Sequence, residues 1–234
     1  MNTNESCKVL SVVIPCYNEK ENIVTIVDKV SSVKSECFDS LEIIVVDDKS
    51  TDGTTEIIKE KIEPIVSKVI YHKENAGKGA GLRSGIKAAT GQCVIIQDAD
   101  LEYDPEEYGI VVKDIFEGKE KVVYGSRFKN QKRKGYMANR AANLFLTKFS
   151  NLFTHQHLTD METCYKAFER SVIQSVEIEE NRFGFEPEIT SKISKLGIKI
   201  KEVPISYYPR SNEEGKKIGL KDGFRALYVI VKYR

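Results

Sequence analysis

The first half of the chain alternates short apolar runs with segments whose apolar residues recur at helical spacing. The runs predict buried strands at 9–15, 41–47, 68–72, 92–98 and 121–125. The segments between them predict helices at about 19–33, 54–62 and 79–90. Pro105 is placed to begin another helix at its first turn. Strands that alternate with helices predict parallel βαβ units in a doubly wound, mostly parallel α/β sheet with helices on both faces.

The pattern changes after about residue 127, although helical and strand periods both continue. Helices are predicted at 136–153, 186–196 and 220–233, and strands at 164–169 and 198–207. We find no repeat and no low-complexity linker. We therefore expect one continuous domain over residues 1–234.

The charge of the chain is balanced overall but uneven locally. A net charge of +1 gives no field that would favour nucleic acid, so no nucleic-acid partner is expected. Residues 127–140, by contrast, hold six basic side chains and no acid. Such a stretch suits a phosphate or a membrane surface, and it suits a solvated loop equally well.

The cysteines and the hydropathy indicate a cellular location. The five cysteines are scattered without a CxxC pair, which indicates reduced thiols in the cytoplasm. The N-terminus lacks the layout of a signal peptide, and no window reaches the roughly 18 apolar residues of a membrane span. We expect a soluble protein, or one that is peripheral on the cytoplasmic face of a membrane.

Three predicted strands end in polar residues that a doubly wound sheet would bring to one edge. These strand ends lie at 15–19, 47–50 and 98–102. Doubly wound sheets bind their ligands outside the carboxyl ends of the strands. We therefore expect a nucleotide to bind along this edge.

The last of these strand ends carries three alternating acids, Asp98, Asp100 and Glu102. On an extended segment alternate side chains point the same way, so the three carboxylates would converge. Convergent oxygen ligands suit a hard cation such as Mg²⁺ or Mn²⁺, which would bridge a diphosphate and stabilise its charge as it leaves. The alternative is a solvated acidic turn at a helix N-terminus, where acids are favoured without any metal.

A glycine-rich segment follows the third strand and contains Lys78. Its glycines lie at positions 77, 79 and 81, which resembles a phosphate-cradling loop. The spacing does not match GxxxxGK[ST], and the GxGxxG pattern fails at Ser84. We interpret the segment as a turn that enters a helix, with Lys78 as a candidate contact to a nucleotide donor.

Taken together, the motifs resemble those of a known family. In chain order they are VVIPCYNE, IIVVDDKSTDGT, AGKGAGLRSG, QDADLEYDPEEY, VVYGSRF, LTDMETCYKAF, NRFGFEPEI and EVPISYYPRSNEEGKK. The chain resembles family 2 glycosyltransferases over nearly its whole length, most closely the branch around dolichyl-phosphate and polyprenyl-phosphate mannosyl- and glucosyltransferases. The resemblance implies a GT-A fold, a divalent metal and an inverting single displacement from a nucleotide-diphosphate sugar such as GDP-mannose or UDP-glucose. We expect a nucleotide-binding half over 1–126 and an acceptor half over 127–234.

By position, the resemblance also implies roles for single side chains. The donor nucleotide would be held by Pro15, Tyr17, Glu19, Asp48, Lys78, Asp98 and Ala99. The metal would be surrounded by Asp98, Asp100 and Glu102, where relatives often carry Gln at the third position. An acceptor phosphate would be gripped by Arg127 and Arg140. A late basic motif that closes over the donor phosphates would be supplied by Arg210 and Lys216.

The residues leave two kinds of acceptor open. A lipid phosphate is already anionic and needs arginines to position it rather than a strong base. A hydroxyl of a glycan would need a base, for which Asp160 is the best candidate and Glu186 and Glu188 are weaker ones. Asp160 equally suits a structural role, capping the turn before the strand at 164. A third possibility is a sugar-nucleotide-binding module without turnover, against which the three acids argue.

The C-terminal segment has two interpretations of its own. FRALYVIVKYR is too short to span a bilayer, but it could lie on a membrane surface as an amphipathic helix. It could equally pack on the core as a terminal helix. If the acceptor is a lipid, a membrane-spanning partner protein on the cytoplasmic face would suit it.

Overall fold

The computed structural model describes residues 7–129, 137–209 and 220–234. Within these residues, one mixed seven-stranded sheet runs through the molecule in the order β3-β2-β1-β4-β6-β5-β7. The strands are β1 Val9–Cys16, β2 Ser40–Asp47, β3 Lys68–Tyr71, β4 Cys93–Ile96, β5 Val122–Ser126, β6 Lys166–Glu169 and β7 Lys201–Pro204. Strand β6 is antiparallel to both β4 and β5, and the other neighbouring strands are parallel. The prediction of a mostly parallel α/β sheet is confirmed.

Helices connect the strands, as the alternating pattern predicts. They are α1 Ile23–Ser32, α2 Thr54–Ile57, α3 Lys78–Ala88, α4 Tyr108–Phe116, α5 Met137–Thr154, α6 Arg170–Ser175, α7 Phe185–Lys195 and α8 Leu220–Lys232. A π-helical turn over Ile58–Ile62 extends α2, so the helix predicted at 54–62 forms in two parts. Pro105 begins a 3-10 turn that leads into α4, and the Asp104 carboxylate accepts a hydrogen bond from the Glu106 amide there.

Two parts of the sequence prediction differ from the structure. The strand predicted at 198–207 is shorter, because β7 pairs with β5 over only four residues, Lys201–Pro204. Helix α6 is absent from the prediction, since its six residues are too short to show a helical period. In the described parts of the chain, every helix is too short or too polar to cross a membrane.

The core lies on both faces of the central strands. Residues 10–14 of β1 and 93–96 of β4 are buried throughout, which is why their sequences are nearly continuous apolar runs, interrupted only by Ser11, rather than alternating ones. Gln97 follows β4 and is fully buried, and its side-chain oxygen accepts hydrogen bonds from the hydroxyls of Tyr108 at 2.8 Å and Tyr165 at 2.7 Å. The end of β4 is thereby fixed to α4 and to the segment before β6.

The direction in which successive strands are added to the sheet reverses at β1. Strands β2 and β3 are added on one side of β1, and β4 then pairs on the other side. The carboxyl ends of β2, β1 and β4 consequently lie side by side. This is the position at which open α/β sheets bind their ligands, and the three polar strand ends predicted from the sequence meet there.

Candidate active site

Asp48 fastens a loop to the end of β2. Its buried carboxylate accepts hydrogen bonds from the backbone amides of Ala76 at 3.0 Å and Gly77 at 2.6 Å. The same carboxylate contacts Nδ1 of His72 at 2.6 Å, and Nε2 of that ring lies 2.9 Å from the Ser84 hydroxyl. The loop after β3 is therefore held at the ligand edge from β2, close to the start of α3.

The residues predicted to hold the nucleoside are brought together at this edge. Pro15 and Tyr17 are half-buried at the end of β1, and Glu19 is buried just beyond them. The Asp48 amide donates to the carbonyl oxygen of Cys16 at 2.8 Å, which joins the two strand ends. The position of these side chains agrees with the prediction, and their role remains a proposal.

Lys78 is an ionic link between β4 and α7. Its ammonium nitrogen lies 2.9 Å from Oδ1 of Asp98 and 3.1 Å from Oε1 of Glu186, with only 17% of its side chain exposed. Burial lowers the pKa of Lys78, but the two carboxylates outweigh it and hold this pKa well above the ordinary value. Lys78 is thus a fixed cation directly beside the first acid of the predicted metal site.

The glycine-rich turn before α3 packs against another backbone segment. A Cβ on Gly77 would lie 2.4 Å from the carbonyl oxygen of Asn181, and one on Gly79 would lie 2.1 Å from that of Glu180. The Ala80 amide donates to the Asn181 oxygen at 3.1 Å. The glycines therefore allow two backbones to approach closely, which agrees with a turn entering a helix rather than a phosphate-cradling loop.

The acidic segment after β4 is a turn, not an extended strand. Leu101 has a φ of 61°, so the alternation of Asp98, Asp100 and Glu102 does not aim the three side chains in one direction. Asp98 faces Lys78, whereas Oε2 of Glu102 accepts a hydrogen bond from the Tyr207 hydroxyl at 2.9 Å. In the described ranges, no three His, Cys, Asp or Glu side chains are grouped as metal ligands. The extended segment from which their convergence was predicted is therefore absent, and the role of the three acids at a metal stays a prediction.

Ala99, the middle residue of the Asp98–Asp100 pair, is buried with 4% of its surface exposed. It therefore lies beneath the turn rather than on its outer surface. The methyl side chain of Ala99 cannot form a hydrogen bond with a donor. Any contact with a donor would be made by the backbone.

Arg127 and Asp160 form a buried ion pair with two parallel hydrogen bonds. Nε and Nη2 of Arg127 each lie 2.7 Å from a carboxylate oxygen of Asp160, which is fully buried. Burial lowers the pKa of Arg127, but Asp160 outweighs it and keeps this pKa well above its ordinary value. The Asp160 amide donates to the Glu202 carboxylate at 2.9 Å. Because both Asp160 oxygens are engaged, the structural interpretation is favoured over that of a base, with Arg127 as the partner.

The two arginines predicted to grip an acceptor phosphate meet around one aromatic ring. The guanidinium carbons of Arg127 and Arg140 lie 5.6 Å and 5.5 Å from the centre of the Phe128 ring. Arg127 also lies 5.1 Å from the centre of the Tyr207 ring. Arg140 is exposed near the start of α5. Arg210 and Lys216 lie outside the described residues.

The weaker base candidates on α7 are also engaged. Glu186 contacts Lys78, and Glu188 accepts hydrogen bonds from the backbone amides of Glu179 at 2.7 Å and Glu180 at 2.8 Å. Glu188 also pairs with Lys192 at 2.7 Å. Both carboxylates therefore hold the helix start in place.

Sequence reasoning missed one carboxyl group at this site, that of Glu162. Its Oε1 atom is inaccessible to solvent and has no hydrogen-bond partner among the residues that the structure describes. Burial, together with the nearby Glu186 carboxylate, raises the pKa of Glu162 to about 7. The available signal was its position in the TDMETCYK motif, two residues after Asp160 and four before Lys166.

A family model and similar sequences identify the family of the chain. The model described as glycosyl transferase family 2 matches residues 11–176. The undecaprenyl-phosphate 4-deoxy-4-formamido-L-arabinose transferase of Aeromonas hydrophila is 27% identical over 230 residues, which are 97% of this chain and 68% of that protein. Glycosyltransferase AglJ of Haloferax volcanii is 29% identical over 216 residues, which are 91% of this chain and 67% of that protein. The chain thus spans about two thirds of the length of these relatives.

Solved structures share the fold. The glucosyl-3-phosphoglycerate synthase of Mycobacterium tuberculosis, solved with Mn²⁺, UDP and glucosyl-3-phosphoglycerate, superposes with a TM-score of 0.69 at 19% identity, over 97% of this chain and 80% of that one. The mannosyl-3-phosphoglycerate synthase of Rubrobacter xylanophilus gives a TM-score of 0.70 at 18% identity, over 97% of this chain and 72% of that one. The fold is therefore that of the GT-A nucleotide-sugar transferases. Because the family model covers most of the chain, the protein belongs to glycosyl transferase family 2 and is a glycosyltransferase.

Proposed function

We propose that the enzyme transfers a hexose from a nucleotide-diphosphate sugar, GDP-mannose or UDP-glucose, to a polyprenyl phosphate, with the help of a divalent cation. The observation that carries this proposal is the position of Tyr207. Its hydroxyl donates to Glu102 of the acidic turn, and its ring lies against Arg127 of the arginine pair. One side chain thus joins the region suited to a donor diphosphate to the region suited to an acceptor phosphate.

The donor would lie along the carboxyl ends of β2, β1 and β4. The edge formed by Pro15, Tyr17, Glu19 and Asp48 would take the nucleoside, which directs the diphosphate toward the acidic turn. Lys78 is a fixed cation beside that turn, and it would contact the diphosphate.

A divalent cation fits this site without a cage made only of protein ligands. Mg²⁺ in enzymes is usually held by one or two carboxylates together with substrate phosphates and water. Asp98 is neutralised by Lys78, and Glu102 is tied to Tyr207. We propose that one or two carboxylates of this turn, among Asp98, Asp100 and Glu102, would contribute the protein ligands of the cation. When bound, the cation would neutralise charge on the diphosphate as it leaves.

The acceptor phosphate would be positioned by the arginine pair. An arginine presents a planar fork of donors that matches phosphate oxygens. Asp160 takes one edge of the Arg127 fork, so Arg140 supplies the more accessible guanidinium. A phosphate oxygen would attack the anomeric carbon as the bond from that carbon to the diphosphate breaks, and the nucleoside diphosphate leaves as an anion. No proton has to be removed from an acceptor that is already ionised.

A hydroxyl acceptor is the less favoured alternative. It requires a base, and Asp160, the best candidate in the sequence, is buried against Arg127. The relative from Aeromonas hydrophila carries undecaprenyl phosphate in its name, which supports the lipid phosphate.

An apolar surface on two packed helices suits an acceptor that resides in a membrane. Helix α8 buries Ala226, Val229 and Ile230 against the rest of the protein. Helices α8 and α5, which pack against each other, also expose large apolar side chains, namely Leu144, Phe145, Leu152, Phe224, Tyr228 and Val231. We call these six residues the α5–α8 surface, and we propose that it rests on the cytoplasmic face of a membrane.

Purified protein supplied with a short-chain polyprenyl phosphate, Mn²⁺ and either GDP-mannose or UDP-glucose tests this function. Extraction of a labelled glycolipid is expected with one of the two donors. Arg140→Met should lose transfer to the lipid phosphate while it still binds the donor. Lys148→Met, which removes another exposed cation of α5, is the matched control and should behave like the wild type. A wild-type enzyme that makes no glycolipid from either donor would contradict the proposal.

A further inference from the structure

One carboxyl oxygen of Glu162 is buried, and the site described so far assigns it no function. Its Oε1 atom is inaccessible to solvent and makes no hydrogen bond within residues 7–129, 137–209 and 220–234. Buried polar atoms in native proteins almost always have partners, so an exception calls for a ligand or a water that completes it. The roles proposed above for the transfer of the hexose to a phosphate do not include this group.

The backbone around Glu162 is held from both sides by one side chain. The fully buried ammonium group of Lys166 donates to the carbonyl oxygens of Met161, at 2.8 Å, and Thr163. The ammonium also lies 4.4 Å from the centre of the Tyr124 ring. Glu162 is therefore presented from a fixed turn.

The sequence neighbours of Glu162 lie close to two different parts of the site. Asp160, two positions before it, binds Arg127 of the acceptor region. Cys164, two positions after it, lies near Asp98 of the donor region, and burial together with this carboxylate raises the pKa of its thiol. The Glu162 carboxyl is itself close to Arg127 and to Glu186, the partner of Lys78, so it lies between the group that would hold the acceptor and the group that would hold the diphosphate.

In a single displacement the transferred sugar occupies this intermediate space, because its anomeric carbon exchanges the diphosphate oxygen for the acceptor oxygen. We infer that Glu162 binds the transferred hexose, its free carboxyl oxygen accepting a hydrogen bond from one of the sugar hydroxyls. The inference rests on the proposed function, and it does not depend on whether the acceptor is a phosphate or a hydroxyl.

The charges that face Glu162 favour an uncharged ligand with hydrogen-bond donors. Lys166 and Arg127 promote the ionised carboxylate, whereas Glu186, Asp160 and burial oppose it and raise the pKa of Glu162 to about 7. A phosphate would add a further negative charge beside these acids. A hexose hydroxyl adds none, and it donates the hydrogen bond that a carboxylate accepts.

Comparing nucleotides with nucleotide sugars tests the inference. Titration calorimetry with Mn²⁺ would measure the affinity of UDP, UDP-glucose, GDP and GDP-mannose for wild-type protein, Glu162→Gln and Glu162→Leu. The affinity for the nucleotide sugar that the wild type binds should fall roughly 10-fold or more in Glu162→Leu, and less in Glu162→Gln, which keeps an acceptor oxygen. The affinity for the matching nucleotide, which lacks the hexose, should change less than about twofold. Glu177→Gln, at an exposed acid, is the control and should match the wild type.

Nucleotide sugars that lack one hydroxyl of the hexose provide a second test of the inference. For the analogue that lacks the contacted hydroxyl, wild type and Glu162→Leu should bind equally well, because the hydrogen bond is absent from both. An equal loss of affinity for nucleotide and nucleotide sugar would overturn the assignment of Glu162, and so would unchanged binding in Glu162→Leu. A wild-type protein that binds neither nucleotide sugar would overturn the proposed function and this inference with it.

Discussion

The guanidinium group of Arg127 closes on both oxygens of the Asp160 carboxylate, with Nε and Nη2 each 2.7 Å from an oxygen. The Arg127 backbone amide adds a third hydrogen bond at 3.0 Å. Both oxygens of the carboxylate are therefore engaged with Arg127, which disfavours Asp160 as a base. The pairing makes Asp160 a positioning residue for Arg127.

We predict that Asp160→Ala destabilises the protein by about 3 kcal/mol or more, because it leaves the Arg127 charge buried without its partner. Urea unfolding would measure the loss. The double variant Asp160→Ala/Arg127→Met should be less destabilised than the sum of the two single changes. Additive losses would show that the two residues act independently.

The close approach of Gly79 to another backbone segment leads to a second prediction about the stability of the protein. Gly79→Ala should cost about 2 kcal/mol, because its Cβ would lie 2.1 Å from the Glu180 carbonyl oxygen and one backbone must move. Gly223→Ala in α8 is the matched control, since nothing lies within 4 Å of its added Cβ. The control should be neutral or stabilising by up to about 1 kcal/mol. Equal effects of the two substitutions in urea unfolding would argue against the packing of the turn on 180–182.

Glu162 should make stability depend on pH. Its pKa is raised from 4.5 to about 7 in the folded protein, so the folded state binds more protons between these values, and stability falls as pH rises through them. Glu162→Gln removes this loss. The melting temperature of the variant should exceed that of the wild type at pH 8, and the difference should shrink toward pH 5. A difference that stays constant with pH would contradict the raised pKa.

The α5–α8 surface predicts binding to lipid. Phe224→Ser combined with Phe145→Ser should weaken flotation with vesicles that contain anionic lipid, since 72% and 59% of these side chains are exposed. Ile110→Ser on α4 removes another exposed apolar side chain and should leave flotation unchanged. If the double variant floats as well as the wild type, the surface does not face a membrane.

The order of strands and helices could be predicted from the sequence because each element has its own period and length. Strand β1 buries both faces and is apolar apart from Ser11, whereas α1 buries Ile23, Ile26, Val27 and Val30 at helical spacing. The antiparallel direction of β6 could not be predicted in this way. Direction depends on where the chain passes between β5 and β6, which apolar spacing does not record.

The sequence predicts the edge of the sheet at which the candidate site lies, but not the contacts between its side chains. The rule that ligands bind at the carboxyl ends of strands brought Asp48 and Asp98 to one edge without any knowledge of contacts. The inference that the alternating acids lie on an extended segment failed at Leu101. This residue has a left-handed backbone conformation that turns the segment, and no local sequence signal marks it. The pairing of Arg127 with Asp160 joins residues 33 positions apart, so it appears only when β5 and the segment before β6 are packed together.

The most direct test of the central claim is a thermal-shift measurement with GDP-mannose and UDP-glucose, each with and without Mn²⁺. A ligand that binds only the folded state raises the melting temperature, by roughly 5–10 °C at a hundredfold excess over its Kd. We predict such a rise with one of the two donors in the presence of Mn²⁺. The rise should be lost in Asp100→Ala and kept in Asp28→Ala, which removes an exposed acid of α1. No rise with either donor, or an equal rise in Asp100→Ala, would contradict a metal-dependent donor site at this edge of the sheet.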